Sequence, residues 1–148
     1  MHYVVTGGAG FIGSNTVDEL VRRGHQVTVF DDLSTGKMEN LAGLNGRINF
    51  VHGSITDLEA SSAVCRGADY VLHLAAMTSV PRSVKDPVAA NRVNVDGIVN
   101  VLVAARDSGV RRVVFASSSA IYGNSHASQA RRHAPRAYFA LRSLEIGG

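Results

Sequence analysis

Short apolar runs rich in β-branched residues alternate along the chain with longer segments whose apolar residues recur at helical spacing. The short runs predict five β-strands, over residues 2–6, 26–30, 48–51, 70–74 and 112–116. The intervening segments predict helices over residues 11–23, 58–65 and 88–108, the second capped by Asp57 and the third ended by Gly109. Apolar strands that alternate with helices predict an α/β domain whose parallel sheet is covered on both faces.

The order of these elements also predicts the topology of the sheet. Crossovers between parallel strands are right-handed, and a glycine-rich turn follows the first strand. Together these features predict a Rossmann-type doubly wound sheet with strand order 3-2-1-4-5, truncated after strand 5. The ligand crevice is expected at the carboxyl ends of strands 1 and 4, where the strand order reverses.

The turn after the first strand carries three glycines at regular spacing: Gly7, Gly10 and Gly13. The first lets the chain turn sharply, the second leaves room for a pyrophosphate, and the third lets the next helix pack closely on the sheet. The helix N-terminus would offer free N–H donors and about half a positive charge to the phosphates. A strand before the pattern and an amphipathic helix after it are the context of a dinucleotide site, so we predict one here.

The second predicted strand is followed by Asp31 and Asp32, and Asp31 lies 18 residues beyond Gly13. A carboxylate at this place can accept hydrogen bonds from both hydroxyls of the adenosine ribose, and it would repel a 2′-phosphate. Asp31 therefore favours NAD over NADP as the cofactor. The alternative is a solvated acid at a strand end, with no role in binding.

Composition narrows the class of protein. The 148 residues suffice for one domain, and 45% hydrophobic with 18% charged residues is ordinary for a globular chain. No apolar run approaches the ~18 residues of a membrane span, and a strand begins at the N-terminus, so we expect neither a span nor a signal peptide. Cys65 is the only cysteine, which favours a reducing, cytoplasmic compartment. The six histidines are scattered and predict no metal site.

The net charge of +3 is concentrated in one segment of the chain. Residues 126–148 contain four arginines and one glutamate, whereas acidic and basic residues balance over residues 1–125. A nucleic-acid-binding domain places its basic residues on one folded face or helix. We therefore expect no nucleic-acid partner.

Six segments of the sequence form a specific ordered set. They are TGGAGFIGS (6–14), DDLSTG (31–36), HLAA (73–76), SVPRSVKDP (79–87), NVDGIVNVLVAA (94–105) and VVFASSSAIYG (113–123). In this order they resemble the extended short-chain dehydrogenase/reductase family, and the resemblance covers residues 1–125 almost continuously. Within that family the chain is most similar to NAD-dependent UDP-sugar 4-epimerases, of the UDP-glucose or UDP-N-acetylglucosamine kind.

The resemblance implies a role for each matching residue. The implied cofactor contacts are Gly7, Gly10, Phe11, Ile12 and Gly13 at the pyrophosphate, Asp31, Ser34, Thr35 and Gly36 at the adenosine ribose, Ser54 and Ile55 at the adenine, and Leu74, Ala75 and Ala76 along the nicotinamide half. Ser54 stands where the family usually has an aspartate, so a carboxylate contact is missing there. Asn94 would brace the loop after strand 4. Ser118, four residues before Tyr122, matches the catalytic serine or threonine that hydrogen-bonds the reacting sugar oxygen.

The resemblance also implies a second catalytic group, which this sequence lacks. Such epimerases pass hydride from C4 of a UDP-hexose to NAD while a tyrosine takes the hydroxyl proton. A lysine four residues later lowers the pKa of that tyrosine. Tyr138 is followed at this spacing by Arg142, and the two lysines of the chain, Lys37 and Lys85, lie upstream. We therefore expect a chain that binds NAD but is inactive as an epimerase.

Residues 126–148 are interpreted as a non-family tail that is encoded out of frame. One allowed coding of FALRSLEIGG (139–148), translated one base later, gives SPYALSKLAG, which resembles the missing tyrosine–lysine segment. Residues 126–138 can likewise encode TLPKREDMPPEPI, a proline-rich loop similar to the family's. We therefore expect an incomplete NAD-binding Rossmann domain over residues 1–125 and a frameshift near Ser125. A natural divergent tail is the alternative.

Two other functional classes remain open. One is a dehydratase or decarboxylase of the same family that acts on another nucleotide sugar, and the other is a non-catalytic module that only binds NAD. The presence or absence of the tyrosine–lysine pair distinguishes an enzyme of this family from a non-catalytic module.

A sheet that stops at strand 5 would leave Val113, Val114 and Phe115 on an open apolar edge, so we expect the chain to self-associate.

Overall fold

The computed structural model describes residues 1–118, which form a sheet of five parallel strands with helices on both faces. The strands are β1 (His2–Thr6), β2 (Gln26–Asp31), β3 (Asn49–His52), β4 (Tyr70–His73) and β5 (Arg112–Phe115). Their spatial order is β3-β2-β1-β4-β5, which confirms the predicted Rossmann-type fold and strand order. The order reverses between β1 and β4, and sheets of this type bind ligands at the carboxyl edge beside such a reversal.

Helices of unequal length connect the strands. They are α1 (Phe11–Arg22), a 3₁₀ helix (Met38–Leu44), α2 (Leu58–Cys65), α3 (Val80–Lys85), α4 (Pro87–Asn91), a π-helical segment (Arg92–Asp96) and α5 (Gly97–Asp107). The bounds predicted for α2 are confirmed, and so is its cap, because the side chain of Asp57 accepts the N–H of Ala60 at 3.0 Å.

The sequence pattern does not predict the 3₁₀ helix or α3, since each is too short to show a periodic apolar stripe. The 3₁₀ helix is held by Leu41 and Leu44, which lie one 3₁₀ turn apart and are both buried. Helix α3 is capped by Ser79, whose hydroxyl accepts the N–H of Arg82 at 3.4 Å. Burial of two leucines thus stabilises the 3₁₀ helix, and a side-chain cap stabilises α3.

The long helix predicted over residues 88–108 is one helical run, Pro87–Asp107, that begins and ends one residue earlier and is interrupted in the middle. It starts at Pro87 because the side chain of Asp86 caps the N–H of Ala89 at 3.0 Å. The π-helical segment Arg92–Asp96 then separates α4 from α5. Such segments insert one extra residue into a helix and are frequent at functional sites.

The core is divided into two layers by the sheet. Val4 and Val5 are neighbours in β1 and both are 0% exposed, but they pack in different clusters. Val4 lies with residues of α2 and α5, such as Val64 and Ala104, whereas Val5 lies with Val17 of α1. Alternate side chains of a strand point to opposite faces, so β1 is covered on both sides, as expected.

One helical run among the described residues, Pro87–Asp107, has the length and mean hydropathy (1.2) of a membrane-crossing helix. This match rests on length and composition alone, and a core helix inside a globular domain meets the same test. Here the run buries Ala90, and it buries Val101, Ala104 and Ala105 in the cluster that includes Val64 of α2.

The β5 side of the described sheet exposes apolar surface. Within residues 1–118, β5 pairs with β4 alone. Val114 and Phe115 in β5 are 51% and 54% exposed, and Val99 and Leu102 in α5 are 50% and 44% exposed. Edge strands with apolar residues offer unpaired backbone groups to other chains.

Candidate cofactor-binding site

The first and third glycines of the turn at residues 7–13, here called the glycine turn, are required by contacts inside the protein. Gly7 has a φ of +69°, and a Cβ there would lie 2.6 Å from the backbone nitrogen of Ala75. A Cβ on Gly13 would overlap the carbonyl oxygen of Gly7 and the Cα of Gly8. Only glycine at these two positions lets β1, the segment after β4 and the start of α1 approach so closely.

Gly10 differs from the other two because the protein leaves space beside it. A Cβ on Gly10 would meet a single atom, the Gly7 carbonyl oxygen, at 3.3 Å. No internal contact therefore demands glycine here as strongly as at positions 7 and 13. An open approach to this backbone is what a pyrophosphate requires.

Helix α1 begins at the glycine turn with its N-terminal donors uncapped. Gly10 is the N-cap residue and has no side chain to bond to the first turn, and the bond from Ser14 N–H to the Gly10 carbonyl is 2.9 Å long. The N–H groups of Phe11, Ile12 and Gly13 precede it, and a helix leaves such donors without intrahelical partners. Phe11 and Ile12 are 84% and 65% exposed. This turn can therefore receive an anion from solvent.

Asp31 lies at the carboxyl end of β2, and its buried carboxylate accepts hydrogen bonds from two backbone N–H groups. Its Oδ2 accepts the N–H of Ala9 at 2.9 Å and its Oδ1 accepts the N–H of Leu33 at 2.8 Å. The residue is 7% exposed. Each carboxylate oxygen has room for a second donor, so both can still accept a ribose hydroxyl. The sequence does not reveal that Asp31 also ties β2 to the glycine turn.

The loop after β2 (residues 32–37), here called the β2 loop, folds against that turn. A Cβ on Gly36 would lie 2.9 Å from the Cβ of Ala9 and 3.0 Å from Oδ1 of Asp31. Ser34 and Thr35 are exposed, and the N–H of Ser34 is bonded to Oδ1 of Asp32 at 2.9 Å. Their hydroxyls lie on a loop that is drawn close to Asp31.

Ser54 and Ile55 follow β3 and have different environments. The Ser54 hydroxyl lies 3.1 Å from Oγ1 of Thr56, so it is engaged locally. Ile55 is 4% exposed, and a Cβ on Gly97 of α5 would lie 2.6 Å from its Cδ1. The Ile55 carbonyl accepts the side-chain N–H of Asn100 at 3.0 Å. Ile55 is thus a core residue as well as a predicted adenine contact.

The chain after β4 is anchored to β1 by the Thr6 hydroxyl. Thr6 Oγ1 accepts the N–H of Ala75 at 3.3 Å and lies 2.8 Å from Nδ1 of His73. Leu74 and Ala75 are half-buried and Ala76 is exposed. Burial lowers the pKa of His73, so its imidazole is neutral near pH 7 and bonds to Thr6 without a charge. Sequence analysis did not single out Thr6 or His73.

Asn94 lies in the π-helical segment and holds the next part of the same loop. Its Oδ1 accepts the N–H of Met77 at 2.8 Å, and its Nδ2 donates to the Met77 carbonyl at 3.1 Å. This two-bond contact is the geometry of the brace that the resemblance implies. Ser118, the last described residue, lies three positions after the end of β5.

The strand registers bring most of these residues to one edge. Thr6 at the end of β1 is paired with Phe30 of β2 and His73 of β4, and His73 is paired with Phe115 of β5. The glycine turn, residues 74–76 and Ser118 therefore all follow aligned strand ends, and Asp31 is the last residue of β2. Among residues 1–118, no group of three His, Cys, Asp or Glu side chains is arranged to hold a metal ion.

One residue that the sequence analysis missed is Asn40. Its Nδ2 donates to the Ala9 carbonyl at 2.7 Å, and the N–H of Lys37 donates to the same oxygen at 3.0 Å. No motif indicates this contact, because the two partners come together only when the β2 loop folds over the turn.

Comparison with known proteins finds one matching family model and several related sequences. A family model described as the NAD dependent epimerase/dehydratase family matches residues 3–143. The match extends past residue 125, the domain boundary that remains a prediction. A UDP-glucose 4-epimerase of Mycolicibacterium smegmatis is 45% identical over 127 residues, which cover 83% of this chain and 41% of that protein. A UDP-N-acetyl-alpha-D-glucosaminuronate decarboxylase of Bacillus cytotoxicus is 40% identical over 120 residues, covering 81% and 37%.

The structural comparison includes a UDP-glucose 4-epimerase of Thermus thermophilus in complex with NAD. It matches 97% of this chain and 47% of its own, with a TM-score of 0.88 and 39% identity. The chain thus spans about 40% of the length of its curated relatives and about half of the solved chain. The family is NAD dependent, which confirms the predicted cofactor, NAD, at the level of the family.

Proposed function

Because this chain belongs to the NAD dependent epimerase/dehydratase family, we propose that it is the NAD-binding part of a UDP-sugar 4-epimerase. The observation that carries the proposal is the open backbone at Gly10, beside the uncapped start of α1 and next to Asp31. The epimerase relatives, 45% identical in one case, favour UDP-hexose as the substrate of the complete enzyme.

The geometry of the described edge fits NAD. The first-turn N–H groups of α1 would hold the pyrophosphate, and Asp31 would accept the hydroxyls of the adenosine ribose. Ser34, Thr35 and Gly36, on the β2 loop, would lie beside that ribose, and Ser54 with Ile55 would border the adenine. Leu74, Ala75 and Ala76 would line the nicotinamide half, in a loop that Asn94 braces through Met77.

The catalytic part of the proposal concerns Ser118. When bound, NAD supplies an acceptor for the hydride from sugar C4. The Ser118 hydroxyl, beyond the end of β5, would hydrogen-bond the reacting sugar oxygen and hold it at this edge. The sequence contains no tyrosine followed four residues later by lysine, so this chain has no positioned base of the family's type. We therefore expect the chain as written to bind cofactor without turning over substrate.

We also propose that residues 126–148 are encoded out of frame, with an incomplete NAD-binding domain at 1–125. The support is the alternative translation of residues 139–148, which yields a tyrosine and a lysine at the required spacing. These residues lie outside the part of the chain that the structure describes. The nucleotide sequence around codon 125 decides the point.

Two alternatives have their own support. The decarboxylase relative, 40% identical, favours another reaction of the same family on a different nucleotide sugar. A non-catalytic NAD-binding module is favoured by the absence of the tyrosine–lysine pair.

For the epimerase and for both alternatives, the expected compartment is the cytoplasm. Cys65 is a buried free thiol, and free thiols persist where disulfides are rare.

All of these proposals require NAD binding, which calorimetric titration of the purified chain with NAD and NADP tests. We expect NAD to bind more tightly than NADP. The same chain with Gly10→Ala, in which a methyl group would occupy the open approach, is expected to bind NAD weakly while keeping its fold. Absence of NAD binding by the folded, unmodified chain would refute the proposed function.

A further inference from the structure

The peptide group that joins Ala9 to Gly10 is held at both of its polar atoms. Its oxygen accepts the side-chain N–H of Asn40 at 2.7 Å and the backbone N–H of Lys37 at 3.0 Å. Its N–H, on Gly10, donates to the Gly7 carbonyl at 3.1 Å. A peptide group is planar, so three bonds to two atoms fix its orientation.

This orientation matters because the next peptide groups carry the uncapped donors of α1. The Gly10–Phe11 peptide follows directly, and a rotation of the Ala9–Gly10 plane would change the φ of Gly10 and redirect the Phe11 N–H. Glycine has no Cβ to limit this rotation. The restraint must therefore come from bonds to neighbouring segments, and Asn40 is the side chain that supplies one.

We infer that Asn40 is a positioning residue for the cofactor's pyrophosphate. The inference rests on the proposed NAD-binding function. Asn40 acts through the Ala9–Gly10 peptide and orients the donors of the glycine turn. Ala9 is 0% exposed, and its N–H is bonded to Asp31, so the same residue is linked to both the ribose-binding carboxylate and Asn40. The 3₁₀ helix that carries Asn40 has buried leucines at 41 and 44 that keep it in place.

Asn40 and the cofactor-binding atoms lie on different segments. The inference therefore predicts that substitution of Asn40 selectively lowers the affinity for the pyrophosphate. Without the Asn40 amide, the ribose carboxylate keeps its own bonds to Ala9 and Leu33. Binding of the adenosine part should persist, whereas binding of the pyrophosphate should weaken. A general loss of structure would weaken both parts together.

The experiment measures dissociation constants for NAD, ADP and adenosine with the unmodified chain, Asn40→Ala and Asn40→Asp. Asn40→Ala is expected to weaken NAD and ADP about 3- to 10-fold, the worth of one hydrogen bond, and to leave adenosine unchanged. Asn40→Asp keeps the size of the side chain but places an acceptor against the Ala9 carbonyl, so its loss should be larger. Asn45→Ala, which alters an exposed asparagine at the end of the same 3₁₀ helix, is the matched control and should bind all three like the unmodified chain.

The outcomes separate the inference from the proposed function. If the folded, unmodified chain binds no NAD, both are overturned. If the unmodified chain binds NAD and both Asn40 variants bind NAD and ADP equally well, the positioning role alone is overturned. Equal losses for ADP and adenosine, or a similar loss in Asn45→Ala, would assign the effect to general structure and also overturn it. Asn40 is exposed, so its variants are expected to fold, and thermal melts of each variant check this.

Discussion

The buried carboxylate of Asp31 accepts the N–H of Ala9 at 2.9 Å, and this bond joins the end of β2 to the glycine turn after β1. The two residues are 22 positions apart in the sequence. A side chain expected to contact only the ribose is therefore also part of the turn that would hold the pyrophosphate. Substitutions at Asp31 affect both halves of the proposed site.

Asp31→Ser is expected to narrow the preference for NAD over NADP. The carboxylate would face the 2′-phosphate of NADP, and like charges brought together cost several kcal/mol. Removing it should reduce the NAD-to-NADP affinity ratio about tenfold or more, with some loss for NAD as the Ala9 bond is lost. Fluorescence or calorimetric titration measures both affinities. Asp32→Ser, which changes an exposed acid next to it, is the control, and an equal change in that variant would contradict the assignment.

Gly10→Ala and Gly13→Ala are expected to fail in different ways. A Cβ at Gly13 would overlap the Gly7 carbonyl, so Gly13→Ala should lower the free energy of unfolding by about 1–3 kcal/mol or more. A Cβ at Gly10 meets one atom at 3.3 Å, so Gly10→Ala should melt close to the unmodified chain but bind NAD at least about tenfold more weakly, about 1.4 kcal/mol.

Gly43→Ala provides the control for both glycine substitutions. A Cβ at Gly43 would meet nothing within 4 Å, so this variant should retain stability and NAD affinity. If Gly10→Ala bound NAD normally, the pyrophosphate would have to lie elsewhere.

Much of this site follows from local sequence, and the rest depends on contacts between distant segments. The glycine spacing predicts the turn, and the position of Asp31 predicts a carboxylate at the same edge. The contact from Asn40 to Ala9 spans 31 residues and that from His73 to Thr6 spans 67. No local pattern predicts either bond, because the Asn40 bond forms only when the β2 loop folds over the glycine turn and the His73 bond only when β4 pairs with β1. The sequence pattern also does not predict the π-helical interruption at Arg92–Asp96, because an apolar helix has the same composition with or without it.

The stability of the fold is expected to fall as the pH drops below about 6.5. Burial lowers the pKa of His73 in the folded state below the ordinary histidine value of about 6.5. Between the lowered pKa and 6.5, the unfolded chain binds more protons than the folded one, so acid favours unfolding. Thermal melts from pH 7.5 to 5 measure the slope. His73→Asn should flatten it, whereas His52→Asn, at an exposed histidine, should not, and identical slopes in all three would contradict the prediction.

The gene is expected to show a one-base gain or a two-base loss close to codon 125. The other frame downstream should encode the tyrosine–lysine motif and a further substrate domain. The chain as written should then show no measurable turnover of UDP-glucose or UDP-N-acetylglucosamine, because loss of a positioned base costs about 10²–10⁴-fold. Sequencing of the gene and an assay of the purified chain check the two parts. A downstream frame rich in stop codons, or genuine turnover, would refute the frameshift interpretation or the inactivity respectively.

The exposed apolar surface of β5 is expected to promote self-association. Val114 is 51% exposed on a strand that, within residues 1–118, has one neighbour. A lysine on an edge strand opposes pairing with other chains, so Val114→Lys should shift the chain towards monomer in sedimentation or light-scattering experiments. Val88→Lys changes a residue that is 77% exposed on α4 and is the control. A clean monomer of the unmodified chain at high concentration would contradict the prediction.

The extra residue in the helix at Arg92–Asp96 lets two positions near the interruption contact different segments of the protein. Consecutive residues of an α-helix are rotated by about 100°, so one inserted residue changes the phase of everything before it relative to everything after it. Asn94 can then bond to Met77 while Gly97 still lies against Ile55. Deleting a single residue here would restore a regular helix only by turning one end away from its partner. The length of this helix is therefore fixed by two contacts at once, the bond from Asn94 to Met77 and the packing of Gly97 against Ile55.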